Sequence, residues 1–461
     1  MKKYSTGAKL GILIAIEFFK RNKVVLISTI LALALIIFAQ YKFKIFFNQN
    51  SISIGLIGTF QEHDLPIEVT RLLSQGLVEI DDSGRARPKL VTGWETNNDA
   101  TSFKFKLKDN LEWVDKTQIK SNDLDFTIPN IEIDYSDDKT IKLNLKESYS
   151  PLPSLLTKPI FKKNTLIGTG PYKITKIEKS RIFITKIELK SNDDSMPKII
   201  IRFYPQEKVA ITGFNLGEVQ VILGLPNAKT FDNNPKVSLK QKVDFSKIVT
   251  ILFQNKDSQL SNRSLRQALS FITPKIESEE LADNPYPHSL WAYNPDSKKY
   301  LANSEEAKAA MERAEANLPE ELLKKDLILT TTPNLEEVGT KIVNSWKELG
   351  LNAKLRIESG IAQNFQALLI TQSIPSDPDQ YFLWHATQEK TNLTKYDSKR
   401  ADKDLEDGRK IISEEERKVK YFDFQKTLLE DAPAVFLYFP KYNIVYLKKI
   451  ELLLDKVLLA E

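Results

Sequence analysis

An uncharged apolar run near the amino terminus constrains this chain more than any other feature of its sequence. Residues 24–39 read VVLISTILALALIIFA. With the two residues that follow, the run reaches the roughly 17–20 residues that a helix needs to cross a bilayer. Basic side chains are concentrated before the run, which by the positive-inside rule puts the amino terminus in the cytoplasm. We therefore predict a cytoplasmic segment at 1–23, a transmembrane anchor at 24–41, a linker at 42–50 and an extracytoplasmic remainder.

The same run fits a second interpretation, a signal peptide that is removed after a small residue such as Ala39. The long segment before the run, with its own apolar stretch at residues 10–19, favours an uncleaved anchor instead. In both interpretations the bulk of the chain lies outside the cytoplasm.

Composition excludes several classes of protein. A chain of 461 residues is too long for one compact core and indicates two or three folding units. Because there is no cysteine, disulfides, thiolate metal sites and cysteine nucleophiles are impossible. The net charge of +5, from 66 basic and 61 acidic residues, is too weak to indicate a nucleic-acid partner.

Two kinds of hydrophobic pattern divide the exported part. Strict alternation at 102–107 (SFKFKL) and 140–145 (TIKLNL) predicts an antiparallel sheet with one exposed face. Later in the chain, strand-like runs alternate with helical stretches, including those at 335–349 and 414–430. Such alternation is typical of α/β units. The sequence therefore predicts an α/β fold with a separate antiparallel part.

Four stretches carry a resemblance to a known family. They are residues 72–126, GTGPY at 168–172, LSNRSLRQALS at 260–270, and residues 377–438. The longest stretch contains, in the expected order, Gly76, Leu77, Pro88, Leu90, Trp94, Phe103, Phe105, Leu107, Trp113, Asp115 and Asp123. Together the stretches resemble the extracellular solute-binding protein family 5, which includes oligopeptide-, dipeptide- and nickel-binding proteins.

The resemblance implies a two-lobed, type II periplasmic-binding-protein fold that closes over a ligand and performs no chemistry. We expect residues 51–60, 168–250 and 436–461 to form the core of lobe I, residues 61–167 its added antiparallel β subdomain, and residues 251–435 lobe II. A peptide or other small ligand and the permease of an ABC transporter are the implied partners. No cofactor and no metal are expected, and we expect a monomer.

Candidate ligand contacts follow from the resemblance and from the way that peptide backbones pair with strand-like segments. They are Thr59, Phe60, Gln254, Asn255, Thr371, Gln372, Ser373, Ile374 and Tyr438. At the position of Ile374 the family commonly has an aspartate that pairs with the α-amino group of a peptide. An apolar side chain cannot offset the desolvation of an ammonium group. The usual carboxylate for a free peptide amino terminus is therefore missing.

Other functions have less support in the sequence. The three histidines, His63, His288 and His385, are far apart, and none is placed in a helical metal-binding pair or beside a serine elbow. An enzyme is therefore not expected. A membrane-tethered sensor or interaction module that has lost transport remains as an alternative, because the missing carboxylate and a short connection at 126–131 would suit it.

Overall fold

A computed structural model describes residues 50–125, 128–360, 362 and 364–458. The predicted cytoplasmic segment and transmembrane anchor lie outside these residues, as does nearly all of the linker. Within the described ranges, no helix combines the length and the apolar character that crossing a bilayer requires.

The first half of the chain builds one lobe and its subdomain. Lobe I opens with β1 (Ser51–Ile57) and α1 (Ile67–Leu73). The β subdomain follows with β2 (Val78–Ile80), β3 (Ala86–Pro88), β4 (Val91–Thr96), β5 (Ser102–Leu107), β6 (Leu124–Asp125), β7 (Ile131–Asp137), β8 (Thr140–Leu145), α2 (Leu152–Leu155) and β9 (Phe161–Lys162). The chain returns to lobe I with β10 (Tyr172–Ser180), β11 (Phe183–Ser191), β12 (Lys198–Tyr204), α3 (Glu207–Asn215), β13 (Val221–Leu223) and β14 (Val237–Val243).

The second half builds the other lobe. Lobe II contains β15 (Lys247–Phe253), α4 (Arg263–Ile272), β16 (Glu280–Leu281), α5 (Ser304–Glu315), α6 (Glu320–Leu323), β17 (Leu327–Thr331), α7 (Glu336–Lys347), β18 (Ala353–Ile357), β19 (Ala367–Ser373), α8 (Tyr381–Trp384), α9 (Lys399–Gly408), α10 (Glu414–Asp431) and β20 (Ala434–Phe439). The chain ends in lobe I with β21 (Lys441–Leu447) and α11 (Glu451–Leu458). Short 3₁₀ turns lie at Ser121–Asp123, Lys229–Phe231, Pro333–Leu335 and Lys448–Ile450.

The sheet of lobe I is mixed and covered on both faces. Its strand order is β10-β11-β12-β1-β13-β21-β14. β1 runs parallel to both of its neighbours, so Ile54 lies opposite Ile201 on one side and Val221 on the other. Helices α1 and α11 pack on the face that carries Ile54, and α3 packs on the opposite face. On β1, Ile52, Ile54 and Leu56 are buried, whereas Ser51, Ser53 and Ile57 on the other face are only half-buried.

The sheet of lobe II has the order β16-β20-β15-β19-β17-β18. Along its central strand β15, side chains alternate between two cores. Val249 and Ile251 face a layer that includes α4, α5 and α7, whereas Ile248 and Leu252 face α9 and α10. The helices predicted at 335–349 and 414–430 are α7 and α10.

The β subdomain has its own core beneath the sheet β4-β5-β8-β7. On β5, Phe103, Phe105 and Leu107 are buried and the lysines between them are exposed, as the alternating pattern predicts. The subdomain begins after α1, later than the predicted boundary at residue 61. The reason is that Val69, Leu72 and Leu73 of α1 are buried in the core of lobe I.

Two glycines of the GTGPY sequence allow the chain to return to lobe I alongside α1. A Cβ atom at Gly168 would lie 2.1 Å from the carbonyl oxygen of Leu73, and one at Gly170 would lie 2.6 Å from that of Leu72. Neither distance is compatible with a side chain. Backbone approach, rather than an unusual turn, therefore accounts for both glycines.

Two short crossings connect the lobes side by side. One joins β14 to β15 at residues 244–246, and the other joins β20 to β21 at Pro440. The backbone N–H of Asp244 donates to the carbonyl oxygen of Pro440 at 2.8 Å, so the crossings are hydrogen bonded to each other. The predicted boundaries at 250/251 and 435/436 fall inside β15 and β20. β20 is buried along its whole length and β15 from Ile248 onward, and neither run gives a sign of the point at which the chain crosses.

Candidate functional site

A cavity of about 520 Å³ lies between the two lobes, beside the crossings. Such a volume falls within the range of small-ligand sites. Both lobes supply its walls. Lobe I contributes Leu56, Ile57, Phe60, Glu68, Leu223, Gln241, Tyr442 and Asn443, and lobe II contributes Lys247, Val249, Glu279, Asn334, Thr371 and Tyr438. A second and more open cavity of about 1040 Å³ shares Gln241, Glu279, Asn334, Tyr438 and Lys441 with it.

Charged side chains stand close to the crossings at the base of the cavity. The Lys247 ammonium group lies 3.2 Å from a carboxylate oxygen of Asp244. Burial alone would raise the pKa of Asp244, but the hydrogen bond from Ser246 and the charge of Lys247 outweigh it and hold the pKa below its usual value. Asp244 therefore stays ionised at neutral pH, and the charge of Lys247 balances it.

The wall on the β16–β20 side carries a tyrosine beside a carboxylate. Burial, and then the negative charge of Glu279, raise the pKa of Tyr438 to about 12. The phenol therefore remains protonated at physiological pH and can donate a hydrogen bond. Burial also raises the pKa of Glu279, an effect that the nearby Lys441 opposes only in part. This wall offers a ligand one neutral donor and one desolvated carboxylate.

Amide side chains line the floor on the lobe I side. Gln241 donates from Nε2 to Oδ1 of Asn443 at 2.6 Å, and Asn443 donates from Nδ2 to the carbonyl oxygen of Leu225 at 2.8 Å. Also on lobe I, the Tyr442 hydroxyl donates to Oε1 of Glu68 at 3.2 Å. These bonds hold the polar groups in place before any ligand arrives, which lowers the ordering cost of binding.

Three of the nine predicted contacts, Phe60, Thr371 and Tyr438, line the cavity together. Phe60 packs its ring 5.3 Å from that of Phe203, and its carbonyl oxygen accepts a hydrogen bond from the N–H of Ile184. Thr59, one residue earlier, is exposed and is not part of the lining.

The predicted contacts that follow Thr371 are held by lobe II itself. Gln372 and Ser373 pair with Ile248 and Lys247 in the sheet and are not among the lining residues. Ile374 donates its N–H to the carbonyl oxygen of Ser246 at 2.9 Å, and its side chain packs against the lobe II core. An apolar residue at this position therefore serves packing in this chain.

The structure places Gln254 and Asn255 away from the cavity between the lobes. β15 begins at the cavity and is extended, so its far end lies about 20 Å away. Gln254 lines a separate cavity of about 430 Å³ on lobe II. Asn255 donates its N–H to the carbonyl oxygen of Thr394 at 2.8 Å and is occupied in fixing a loop. The direction of β15 decides which of its ends faces the cavity between the lobes. Single sequence positions do not reveal that direction.

Several charged lining residues were not predicted from the sequence. Lys247 and Lys441 directly follow the two crossings, so a correct placement of the crossings would have indicated them. Glu68 and Glu279 have no such signal, because each lies outside the matched motif residues and reaches the cavity only through folding.

The β subdomain also contacts lobe II directly. The N–H of Trp291 donates to the carbonyl oxygen of Ser83 at 2.9 Å, and the N–H of Ser150 donates to that of Arg409 at 2.8 Å. A Cβ atom at Gly84 would lie 2.1 Å from the Leu290 side chain. The subdomain is therefore in direct contact with lobe II.

Comparison with known proteins shows where this architecture recurs. The profile of bacterial extracellular solute-binding proteins, family 5 Middle, matches residues 85–393. The oligopeptide-binding protein AppA of Bacillus subtilis is 23% identical over 338 residues, which cover 63% of this chain and 60% of AppA. The periplasmic murein peptide-binding protein MppA of Escherichia coli is 20% identical over 460 residues, covering 81% of this chain and 83% of MppA.

Solved structures agree with the sequence comparison. NikZ from Campylobacter jejuni, in complex with Ni(L-His), has a TM-score of 0.68 at 20% identity, covering 87% of this chain and 94% of NikZ. AppA from Bacillus subtilis, in complex with a nonapeptide, has a TM-score of 0.64 at 18% identity, covering 86% and 94%. The predicted two-lobed, type II α/β fold is confirmed. Because the family profile matches more than half of the chain, the protein belongs to the bacterial extracellular solute-binding proteins, family 5.

Proposed function

We propose that this chain binds a peptide in the cavity between its lobes and delivers it to the permease of an ABC transporter. The observation that carries the proposal is a cavity of about 520 Å³ whose walls come from both lobes and whose base is formed by the two crossings. A ligand that contacts both lobes stabilises the closed arrangement over the open one. Binding is thereby converted into a change of shape that a partner can recognise.

A peptide suits the lining better than a purely apolar ligand does. Leu56 and Val249 offer apolar surface, while Glu279, Tyr438 and Thr371 offer charge and hydrogen bonds. A peptide presents the same mixture in its backbone and ends. Among the relatives, AppA and MppA are peptide-binding proteins by name.

We assign the ligand contacts to the residues that line the cavity, among them Phe60, Thr371 and Tyr438 from the sequence prediction. The lobes follow from the crossings: residues 51–73, 172–243 and 441–458 form the core of lobe I, and residues 247–439 form lobe II. No catalytic step is part of the proposal. The protein acts as a monomer in it, because one chain supplies both walls of the cavity.

The proposal includes a membrane anchor at residues 24–41. The uncharged run and the preceding basic residues support it, and they put the two lobes on the outer side of the cytoplasmic membrane. Cell fractionation and sequencing of the amino terminus of the mature protein test it. An intact terminus in the membrane fraction supports the anchor, whereas a terminus that begins near residue 40 in a soluble fraction contradicts it.

Ligand binding is tested by thermal unfolding of the full chain in detergent with pools of tripeptides to pentapeptides. A ligand at 100 times its Kd should add about 2.7 kcal/mol to the free energy of unfolding. As a control variant, Thr371→Arg places a long charged side chain at a half-buried position of the cavity lining, and the shift should disappear. If no pool stabilises the wild-type protein, peptide binding is wrong. Nothing in the comparisons favours the tethered sensor over delivery.

A further inference from the structure

A separate cavity of about 250 Å³, the subdomain cavity, lies where the β subdomain meets lobe II. It shares no lining residue with the cavity between the lobes or with the larger one beside it. Trp94 and Phe103 belong to its subdomain wall, whereas Trp291, Asp377 and Arg417 belong to lobe II. The volume is just below the roughly 300–1,000 Å³ of ordinary ligand pockets, so the cavity fits a molecule with a single ring rather than a peptide.

The charged side chains of this cavity are already balanced in pairs. Three arginines line it, and each lies 2.6–2.8 Å from a carboxylate oxygen. The pairs are Arg85–Glu414, Arg87–Asp81 and Arg417–Asp377. A charged ligand would leave one charge unbalanced next to the last pair, which is largely buried, and this costs free energy. A neutral ligand avoids that cost.

Three polar atoms in the lobe II wall are available to a ligand. Arg417 is only 7% exposed, and its Nε and Nη2 donate to protein acceptors, whereas Nη1 has no acceptor among the described residues. Oδ1 of Asp377 is engaged by two donors, but no donor of the described ranges reaches Oδ2. The indole Nε1 of Trp291 also lacks an acceptor in the part of the chain that the structure describes. None of the three atoms is fully buried, so each can contact a molecule that fills the cavity.

Aromatic rings supply the apolar part of the lining. Trp94 is half-buried at the subdomain wall, and Phe103 lies beside it on the neighbouring strand. The guanidinium group of Arg417 lies 5.4 Å from the centroid of the Trp291 ring, which places two of the available donors close together. Aromatic side chains favour planar rings as packing partners. The lining therefore suits a flat ring with a polar edge.

We infer that the subdomain cavity binds a small, neutral, planar molecule whose edge carries a carbonyl oxygen next to an N–H, as in a carboxamide or in the lactam of a nucleobase. The carbonyl oxygen accepts from Nη1 of Arg417 and Nε1 of Trp291, and the N–H donates to Oδ2 of Asp377. A carboxylate would instead face Asp377, and an amidinium group would face Arg417. Like charges placed together in this way oppose binding.

A ligand in the subdomain cavity would also affect the arrangement of the two units that form it. It contacts the β subdomain through Trp94 and lobe II through Trp291, so it stabilises the arrangement in which these walls face each other. The inference does not rest on peptide binding, because none of the residues that line the peptide cavity takes part in it.

Three probes with the same ring test the inference with the full-length chain in detergent. Benzamide carries the neutral edge, benzoate carries two acceptor oxygens and a negative charge, and benzamidine carries donors and a positive charge. Ligand-observed NMR titrations give a Kd for each probe. Uracil and nicotinamide, which carry the neutral edge within a ring and outside a ring, distinguish a lactam ligand from a carboxamide ligand.

We expect benzamide to bind at least about fivefold more tightly than benzoate or benzamidine. Trp291→Phe keeps a ring but removes the indole donor, and it should weaken benzamide binding about threefold or more. Trp113→Phe is the matched control, because Trp113 lies in the core of the β subdomain and does not line the cavity. Trp94→Leu removes packing surface for the ring and should weaken all three probes by similar factors. Unfolding midpoints of the variants identify any folding defect.

The outcomes separate this inference from the proposed function. Thr371→Arg obstructs the peptide cavity and should leave benzamide binding unchanged. Loss of benzamide binding in that variant would place the probe between the lobes and overturn the inference. Equal Kd values for the three probes, or an unchanged Kd in Trp291→Phe, would overturn it as well. If benzamide, uracil and nicotinamide all fail to bind, the cavity holds only water and the inference is wrong, while peptide binding is decided by its own test.

Discussion

Arg85 of the β subdomain and Glu414 at the start of α10 form a two-pronged ion pair between the lobes. Nη2 of Arg85 lies 2.6 Å from Oε1 of Glu414, and Nε lies 2.9 Å from Oε2. The contact between Ser83 and Trp291 lies beside it. A charged pair that bridges the lobes here stabilises their relative arrangement in this structure, and neither residue lines the cavity between the lobes.

Loss of this ion pair should therefore weaken ligand binding more than it weakens the fold. Both side chains are more than a third exposed, so the pair contributes about 0.2–1 kcal/mol. We expect Glu414→Gln to raise the Kd of a bound peptide about two- to fivefold and to leave the unfolding midpoint nearly unchanged. Calorimetry and small-angle scattering check this, with Glu416→Gln in the same helical turn as the control. An unchanged Kd would show that the contact does not bias closure.

The buried pair between Asp377 and Arg417 should matter for stability. Nη2 of Arg417 lies 2.6 Å from Oδ1 of Asp377, and both side chains are largely buried. Arg417→Met leaves an uncompensated buried carboxylate, so we expect a loss of about 3–5 kcal/mol in the free energy of unfolding. Urea denaturation measures it. Lys418→Met, on the exposed side of the same helix, should change stability by less than about 0.5 kcal/mol. Similar values for the two variants would contradict the prediction.

Asp404 should make the fold less stable as the pH rises from about 4 to 6. Burial, and then the nearby charge of Asp423, raise its pKa to about 6, and its Oδ2 has no hydrogen-bond partner among the described residues. Between the unfolded value near 3.9 and this raised value, the native state holds a proton that the unfolded state has lost. The free energy of unfolding therefore falls through this window and stays lowered above it.

The variant Asp404→Asn should remove this dependence and stabilise the protein at pH 7 by about 1–3 kcal/mol. Urea denaturation of both proteins at pH 4 and pH 7 provides the measurement. The difference between variant and wild type should be small at pH 4 and largest at pH 7. An equal difference at both pH values would mean that titration of Asp404 is not its cause.

Gly168 should tolerate no side chain. Its Cβ atom would meet the carbonyl oxygen of Leu73 at 2.1 Å, which forces the returning chain away from α1. We expect Gly168→Ala to lower the free energy of unfolding by about 2–3 kcal/mol. Gly93→Ala is the matched control, because nothing lies within 4 Å of a Cβ atom there. Thermal unfolding of the two variants should differ clearly, and a neutral Gly168→Ala would contradict the close approach.

Local patterns were sufficient to predict much of the fold. β5 and β8 have the bounds of the alternating runs, and α10 extends the predicted 414–430 helix by one residue. These elements were predictable because period and polarity are properties of neighbouring residues. The predicted boundary at 435/436 lies inside β20, because this strand is apolar throughout and does not show where the chain leaves lobe II.

The sequence by itself determined the family, several of the strands and helices, and three of the residues that line the cavity, since motifs and periodicity depend on residues that are close together in the chain. Only the tertiary structure decided which end of β15 faces the cavity between the lobes. Gln254 and Asn255 follow the other end of this strand and do not line that cavity. It also brought Glu68 and Glu279 to opposite walls of one cavity. Contacts of this kind depend on how two sheets are placed against each other, and no short stretch of sequence contains that information.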